Sequence, residues 1–162
     1  MQKIVEECLK EYKGGNAYFH AMDDKIKYDP EILDELLNAV GYGRLLILNG
    51  AFGFQMVHHI ESQDKSYPYI LLVGSPRKHE EISVYAMKLY GGHKAYPTGI
   101  FLDDTYFSGR TYYYCKGYIE AMFGYPVKEA YVAYDGSKHR DTNVQSLYRY
   151  YDYHDVLGNK IK

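Results

Sequence analysis

A chain of 162 residues, 46% hydrophobic and 25% charged, is long enough for one domain with a substantial core and has the composition of an ordinary globular protein. Its net charge of −2 argues against the basic face that a nucleic-acid partner requires, and no apolar run approaches the about 20 residues of a membrane span. Two cysteines, Cys8 and Cys115, make no disulfide framework, and the charged opening MQKIVEECLKEYK is unlike a signal peptide, so a cytoplasmic location is expected.

Ile4, Val5, Cys8, Leu9 and Tyr12 recur at helical spacing and predict an amphipathic helix over residues 2–12, stopped by Gly14-Gly15. Residues 16–28 carry no single period. Asp29 before Pro30 reads as an N-cap followed by proline at the first helical position, and Ile32, Leu33, Leu36, Leu37 and Val40 mark the helix that follows. Leu45-Leu46-Ile47-Leu48 is a short continuous apolar run, as in a strand covered on both faces. After it comes Asn49-Gly50-Ala51-Phe52-Gly53 and then a helix carrying Phe54, Met56, Val57 and Ile60. A loop of such small residues lets backbone amides approach a phosphate, although the same composition also makes a tight turn.

Residues 69–73 form the next strand and lead into Gly74-Ser75-Pro76-Arg77-Lys78-His79, where adjacent cations sit either at the ligand edge of the sheet or in a solvated turn. Between residues 80 and 96 two periods compete. Ile82, Val84 and Ala86 alternate as in a strand, while Ile82, Tyr85, Ala86 and Leu89 fit a helix, which is the reading taken here. Gly91-Gly92-His93-Lys94 reads as a flexible hinge or a turn.

The stretch 99–111, GIFLDDTYFSGRT, organises the rest. A buried strand ends in paired acids, Asp103 and Asp104, which suit sugar hydroxyls or a hydrated Mg²⁺. Ser108, Gly109 and Thr111 then bring hydroxyls and approachable N–H groups to the start of a helix, where anions are favoured. That helix runs over residues 109–123, with Cys115 on its core face, so Cys115 reads as packing. Residues 130–134 are a fifth strand ending in Asp135-Gly136-Ser137-Lys138-His139-Arg140, and the tyrosine-rich residues 143–156 read as a short helix or an edge strand covering the site. The chain has 21 tyrosines and no tryptophan; packing is the first explanation, and stacking of a planar base on one ring is the functional one. Adjacent His58 and His59 would point about 100° apart on a helix and so make a poor metal pair.

Strands alternating with helices predict a parallel α/β sheet with ligands at the carboxyl ends of its strands. The expected organisation is one domain over residues 1–162, with 1–43 and 141–162 as a small hood or flanking elements.

Residues 102–111, LDDTYFSGRT, resemble the signature of the type I phosphoribosyltransferases, in which a hydrophobic strand, two acids and a Ser/Thr-Gly-x-Ser/Thr loop bind 5-phosphoribosyl pyrophosphate (PRPP). The resemblance implies a Rossmann-like phosphoribosyltransferase core with helices on both faces and a hood. It also implies Mg²⁺-dependent transfer of the phosphoribosyl group to a nitrogenous base, with PRPP and a base or nucleotide as small-molecule partners. By the same resemblance Asp103 and Asp104 contact the ribose hydroxyls directly or through the metal, and with Lys78 they form the catalytic set. Tyr106, Phe107, Ser108, Gly109, Arg110 and Thr111 would wrap the 5-phosphate. Asn49, Gly50, Ala51, Phe52 and Gly53 stand where the family's pyrophosphate loop stands, and Arg77 joins Lys78 in neutralising the leaving group. A homodimer is left open.

Phe107 departs from the pattern, because the 6-oxopurine members carry an acid there that assists proton removal from the base, and Phe cannot. The alternative is a protein that keeps the fold and the sugar-phosphate site as a non-catalytic PRPP- or nucleotide-binding regulator.

Overall fold

The computed structural model describes residues 1–13, 15–40, 43–63, 67–75, 78, 80–88, 98–124 and 126–161. Six strands form one sheet in the order β3-β2-β1-β4-β5-β6. They are β1 (Arg44–Leu48), β2 (Tyr69–Val73), β3 (Ser83–Lys88), β4 (Gly99–Tyr106), β5 (Val127–Asp135) and β6 (Val144–Arg149). Every neighbouring pair is parallel except β2 and β3, so this is a mixed, mostly parallel sheet with helices on both faces.

Strand β3 corrects the helix read over residues 80–96. Val84 and Ala86 are half-buried while Tyr85 and Met87 are exposed, the period-2 burial of an edge strand with one covered face. Apolar residues on the outer face gave the segment its false helical period. Leu89 and the turn at residues 91–94 lie outside the described residues.

The first helix, α1 (Gln2–Glu11), and the third, α3 (Pro30–Ala39), stand where their periodicity put them. Asp29 caps α3 by accepting from the N–H groups of Glu31 at 2.9 Å and Ile32 at 3.4 Å. Between them residues 16–28, left without a period above, belong to α2 (Gly15–Lys27), which buries only Tyr18, Met22 and Ile26. One buried residue per turn is too narrow a stripe to stand out in a sequence. The last two helices are α4 (Ala51–Glu61) and α5 (Arg110–Phe123). Among the described residues no helix is long and apolar enough to cross a membrane.

Two cores flank the sheet. Helices α1 to α4 cover one face, burying Val5, Met22, Leu36 and Met56 against Leu45, Ile47 and Leu102. On the other face α5 buries Cys115 and Ile119 with Leu46, Phe101 and Val132. The β1-α4-β2 and β4-α5-β5 crossovers therefore leave the neighbouring strands β1 and β4 toward opposite faces. Such a switch point opens a crevice at the strands' carboxyl ends, where the acids of β4 lie.

The tyrosine-rich tail resolves as the parallel edge strand β6 followed by a 3₁₀ turn, Tyr150–Asp152. With β5 between it and β4, β6 supplies none of the described residues that line the crevice.

Candidate functional site

The crevice encloses about 890 Å³. Asn49 enters it from the end of β1, Gly74 and Ser75 from the end of β2, and Asp103 and Asp104 from β4. The turn from Phe107 to Gly109 and the first residues of α5, Arg110 and Thr111, close one side, with Tyr106 behind them. Asp23 reaches in from α2 on the other.

Alternation along β4 sends its two acids to opposite faces. Asp104 shares the side of Ile100 and Leu102 with the α2 helix. Asp103 faces α5, where its charge adds to burial in pushing the Cys115 thiol up to about 12. Cys115 is thus a protonated packing residue and no nucleophile. The backbone N–H of Asp104 donates to Asp103 Oδ1 at 2.9 Å, and that of Thr105 to Asp104 Oδ1 at 2.9 Å, so each carboxylate is oriented by the residue after it.

Asp104 is 9% exposed. Burial, the Asp103 charge and a hydrogen bond with Asp23 hold its carboxyl well above the usual carboxylate range. Asp23 moves the other way. Burial alone would raise it, but the Asp104 hydrogen bond and the Lys27 ammonium outweigh burial and hold it low. Lys27 Nζ lies 2.8 Å from Asp23 Oδ2, and the buried Asp23 Oδ1 has no hydrogen-bond partner among the described residues. The two carboxyls form one unit in which Asp104 is shifted toward its protonated form and Asp23 toward its charged form.

Gly109 begins α5 with φ +81, in the left-handed region, and a Cβ there would lie 2.6 Å from Tyr106 Oη. The Tyr106 hydroxyl donates to Asp141 Oδ2 at 2.9 Å, and the Tyr113 hydroxyl donates to the same oxygen. Burial would raise Asp141, yet these phenols and the Asn143 N–H hold its carboxyl below the usual range. The turn is therefore clamped between the end of β4, the first turn of α5 and the β5–β6 connection. Ser108 Oγ accepts from the Arg110 N–H at 3.4 Å. The mouth of this turn offers N–H groups at the positive end of a 14-residue helix, a setting for an anion.

Other predicted positions lie elsewhere. Ala51, Phe52 and Gly53 form the first turn of α4, outside the cavity lining, with Phe52 in the core. A Cβ on Gly53 would run into the Leu48 carbonyl, so this glycine lets α4 pack closely on β1. Lys78 is exposed and absent from the lining, and Arg77 lies outside the described residues. Sequence reasoning missed Asp23, Lys27 and Asp141. The first two belong to a helix with no legible period, and Asp141 becomes notable only when Tyr106 and Tyr113 converge on it.

Among the described residues no three His, Cys, Asp or Glu side chains are placed to cage a metal ion. Mg²⁺ needs no such cage: it keeps several waters and takes one or two carboxylates plus ligand oxygens. Asp103 and Asp104 fit that demand, and a cation beside them would relieve the crowding that raises the Asp104 carboxyl. The crevice can thus engage sugar hydroxyls at the acids and a phosphate at the α5 turn in one ligand.

No family model matches the chain, and no curated protein matches it. Among solved structures it is similar to adenine phosphoribosyltransferase from Thermoanaerobacter pseudethanolicus, at 12% identity over 78% of this chain and 80% of that one, with a TM-score of 0.48. It is similar to orotate phosphoribosyltransferase from Mycobacterium tuberculosis H37Rv, solved in complex with PRPP, at 12% identity over 82% and 76% of the two chains and a TM-score of 0.49. Hypoxanthine phosphoribosyltransferase from Staphylococcus aureus follows at 15% identity over 76% and 73%, with a TM-score of 0.42. The likeness is one of architecture, a mostly parallel sheet with helices on both faces.

Proposed function

We propose that the crevice transfers a phosphoribosyl group from PRPP to a nitrogenous base, with Mg²⁺, and releases pyrophosphate. One observation carries the reading: the acid pair of β4 and the turn before α5 line a single cavity with the loops that follow β1 and β2. The turn N–H groups and the Ser108 and Thr111 hydroxyls hold the 5-phosphate and so fix the ribose. Asp103 and Asp104 accept from its hydroxyls. Breaking the C1–O bond develops positive charge on the ribose, which nearby carboxylates stabilise. Bound Mg²⁺ supplies positive charge for the diphosphate that leaves. Asn49, Gly74 and Ser75 line the same crevice and would receive that diphosphate.

The position of Lys78 favours a second reading. With its side chain outside the lining, the leaving group loses a fixed cation, as in a protein that binds the sugar phosphate and stops there. One assay separates the two. The protein is mixed with PRPP, Mg²⁺ and a panel of purine, pyrimidine and pyridine bases, and pyrophosphate is measured. Transfer predicts release with at least one base and a loss of about 100-fold or more in an Asp103→Asn/Asp104→Asn variant. Saturable PRPP binding without release supports the regulator. Activity that survives the double substitution overturns the site.

A further inference from the structure

A second cavity of about 740 Å³ adjoins the first. The two share Tyr106, Phe107 and Ser108, and the β5–β6 connection, residues 136–142, completes the second. We propose that this cavity receives the acceptor, and that the acceptor is a planar nitrogen heterocycle bearing a negative charge such as a ring carboxylate. The inference rests on the transfer reading above and adds the chemical class of the acceptor.

The cavity is placed and shaped for such a ring. The two cavities meet at Phe107 and Ser108. The Phe107 ring lies over Gly136, where a Cβ would collide with it, so the glycine lets the ring rest on the backbone. Phe19 holds Phe107 edge-on at 5.1 Å and 79° between planes, and Tyr134 stands behind it at 6.0 Å. A fixed aromatic wall suits a flat partner.

The segment that completes the lining has exposed side chains on a backbone tied down by buried groups. Asp135, 2% exposed, accepts from the Ser137 N–H at 2.9 Å and its hydroxyl at 2.6 Å. Arg149, 9% exposed, donates through Nη2 to the carbonyls of Ser137 at 2.9 Å and Lys138 at 3.5 Å. The Gly136 N–H donates to the Tyr106 carbonyl at 2.9 Å. The backbone carrying Lys138, His139 and Arg140 is therefore fixed from beneath by buried groups.

Charge decides the class of ligand. Among the described residues Lys138 is in no ion pair, and Arg140 pairs only with Asp152, at the surface. Asp141 is the one carboxylate in the lining, and its oxygens already accept from two phenols and the Asn143 N–H. The lining thus offers cations and no free carboxylate to take a proton. In the transfer, the lone pair of a ring nitrogen forms the bond to C1 while the C1–O bond breaks and its electron pair leaves with pyrophosphate. A neutral N–H base must also shed a proton; Phe107 and the engaged Asp141 do not accept it, which leaves the His139 imidazole in the lining for that task. A pyridine-type or already deprotonated nitrogen needs no acceptor, and a charge on its ring gives Lys138 and Arg140 something to bind.

Calorimetry with PRPP and Mg²⁺ present tests this with two matched pairs, nicotinate against nicotinamide and orotate against uracil. At least one charged ring should bind about tenfold or more tightly than its neutral partner. That preference should fall below about threefold in a Lys138→Gln/Arg140→Gln variant whose PRPP affinity and melting temperature are unchanged. Lys138→Gln alone, which breaks no ion pair, should show the same trend if the double variant is unstable. No preference in either pair, or a preference undiminished in a folded variant, overturns the inference. Pyrophosphate release with neutral bases alone also overturns it while leaving transfer intact. Charge-selective binding without release keeps the ligand class of the cavity but overturns its role as an acceptor site, together with transfer.

Discussion

Asp104 is the residue at which stability and ligand binding pull apart. Its carboxyl is buried against Asp103 and Asp23 and held well above the usual range. An acid whose pKa is raised by folding leaves the unfolded chain more readily ionised, so stability declines as pH rises through the ordinary carboxyl range toward the folded value. Asp104→Asn keeps the shape and removes that penalty. We expect it to stabilise the ligand-free protein by about 1–2 kcal/mol at neutral pH, with the gain fading as pH falls below about 4. Urea denaturation at several pH values checks this, and a variant that is destabilised at neutral pH would contradict the upward shift of Asp104. The same carboxyl is the one the proposed sugar and cation would use, so the gain in stability should come with loss of PRPP binding.

At the scale of elements, α5 offers a controlled comparison between its two ends. Gly109 before it and Gly124 after it both adopt left-handed backbone, with φ +81 and φ +68. A Cβ at Gly124 meets nothing within 4 Å, whereas one at Gly109 approaches Tyr106 Oη at 2.6 Å, and that hydroxyl is tied to Asp141. Gly124→Ala should cost about 1–2 kcal/mol, the backbone term alone. Gly109→Ala should cost about 1–2 kcal/mol more, because the clamp must open, and it should weaken PRPP binding while Gly124→Ala leaves it alone. Equal costs at the two ends would mean that the clamp contributes nothing to the turn. The elements also show where sequence reading succeeds. Asp29-Pro30 is a local signal and marked the start of α3. Residues 99–111 carry strand, acids, turn and helix start in contiguous order, so half of the crevice was legible. The α2 helix was not, because its stripe of Tyr18, Met22 and Ile26 acquires meaning only against the sheet. In β3 the exposed Tyr85 and Met87 erased the polar alternation that would have marked an edge strand. Asp23 and Asp141 are defined by neighbours 81 and 35 positions away, Asp104 and Tyr106, and no local pattern announces such pairs.

At the scale of the molecule the crevice joins the parts of the fold that are otherwise held only through the sheet. Its walls come from α2 on one face, α5 on the other, and the ends of β1, β2 and β4 between them. A ligand that touches all of these links both cores and must stabilise the native state by mass action. At 100 times its dissociation constant it contributes about 2.7 kcal/mol. For a chain of 162 residues that raises the melting temperature by about 5–10 °C. PRPP with Mg²⁺ should produce a rise of this order, and PRPP without the metal a smaller one. The Asp103→Asn/Asp104→Asn variant should show neither rise, although the Asp104 change by itself is expected to make the empty protein more stable. That opposition makes the measurement decisive, since a variant that had merely misfolded would begin from a lower melting temperature. A full ligand-induced rise in the double variant would place PRPP somewhere other than the end of β4.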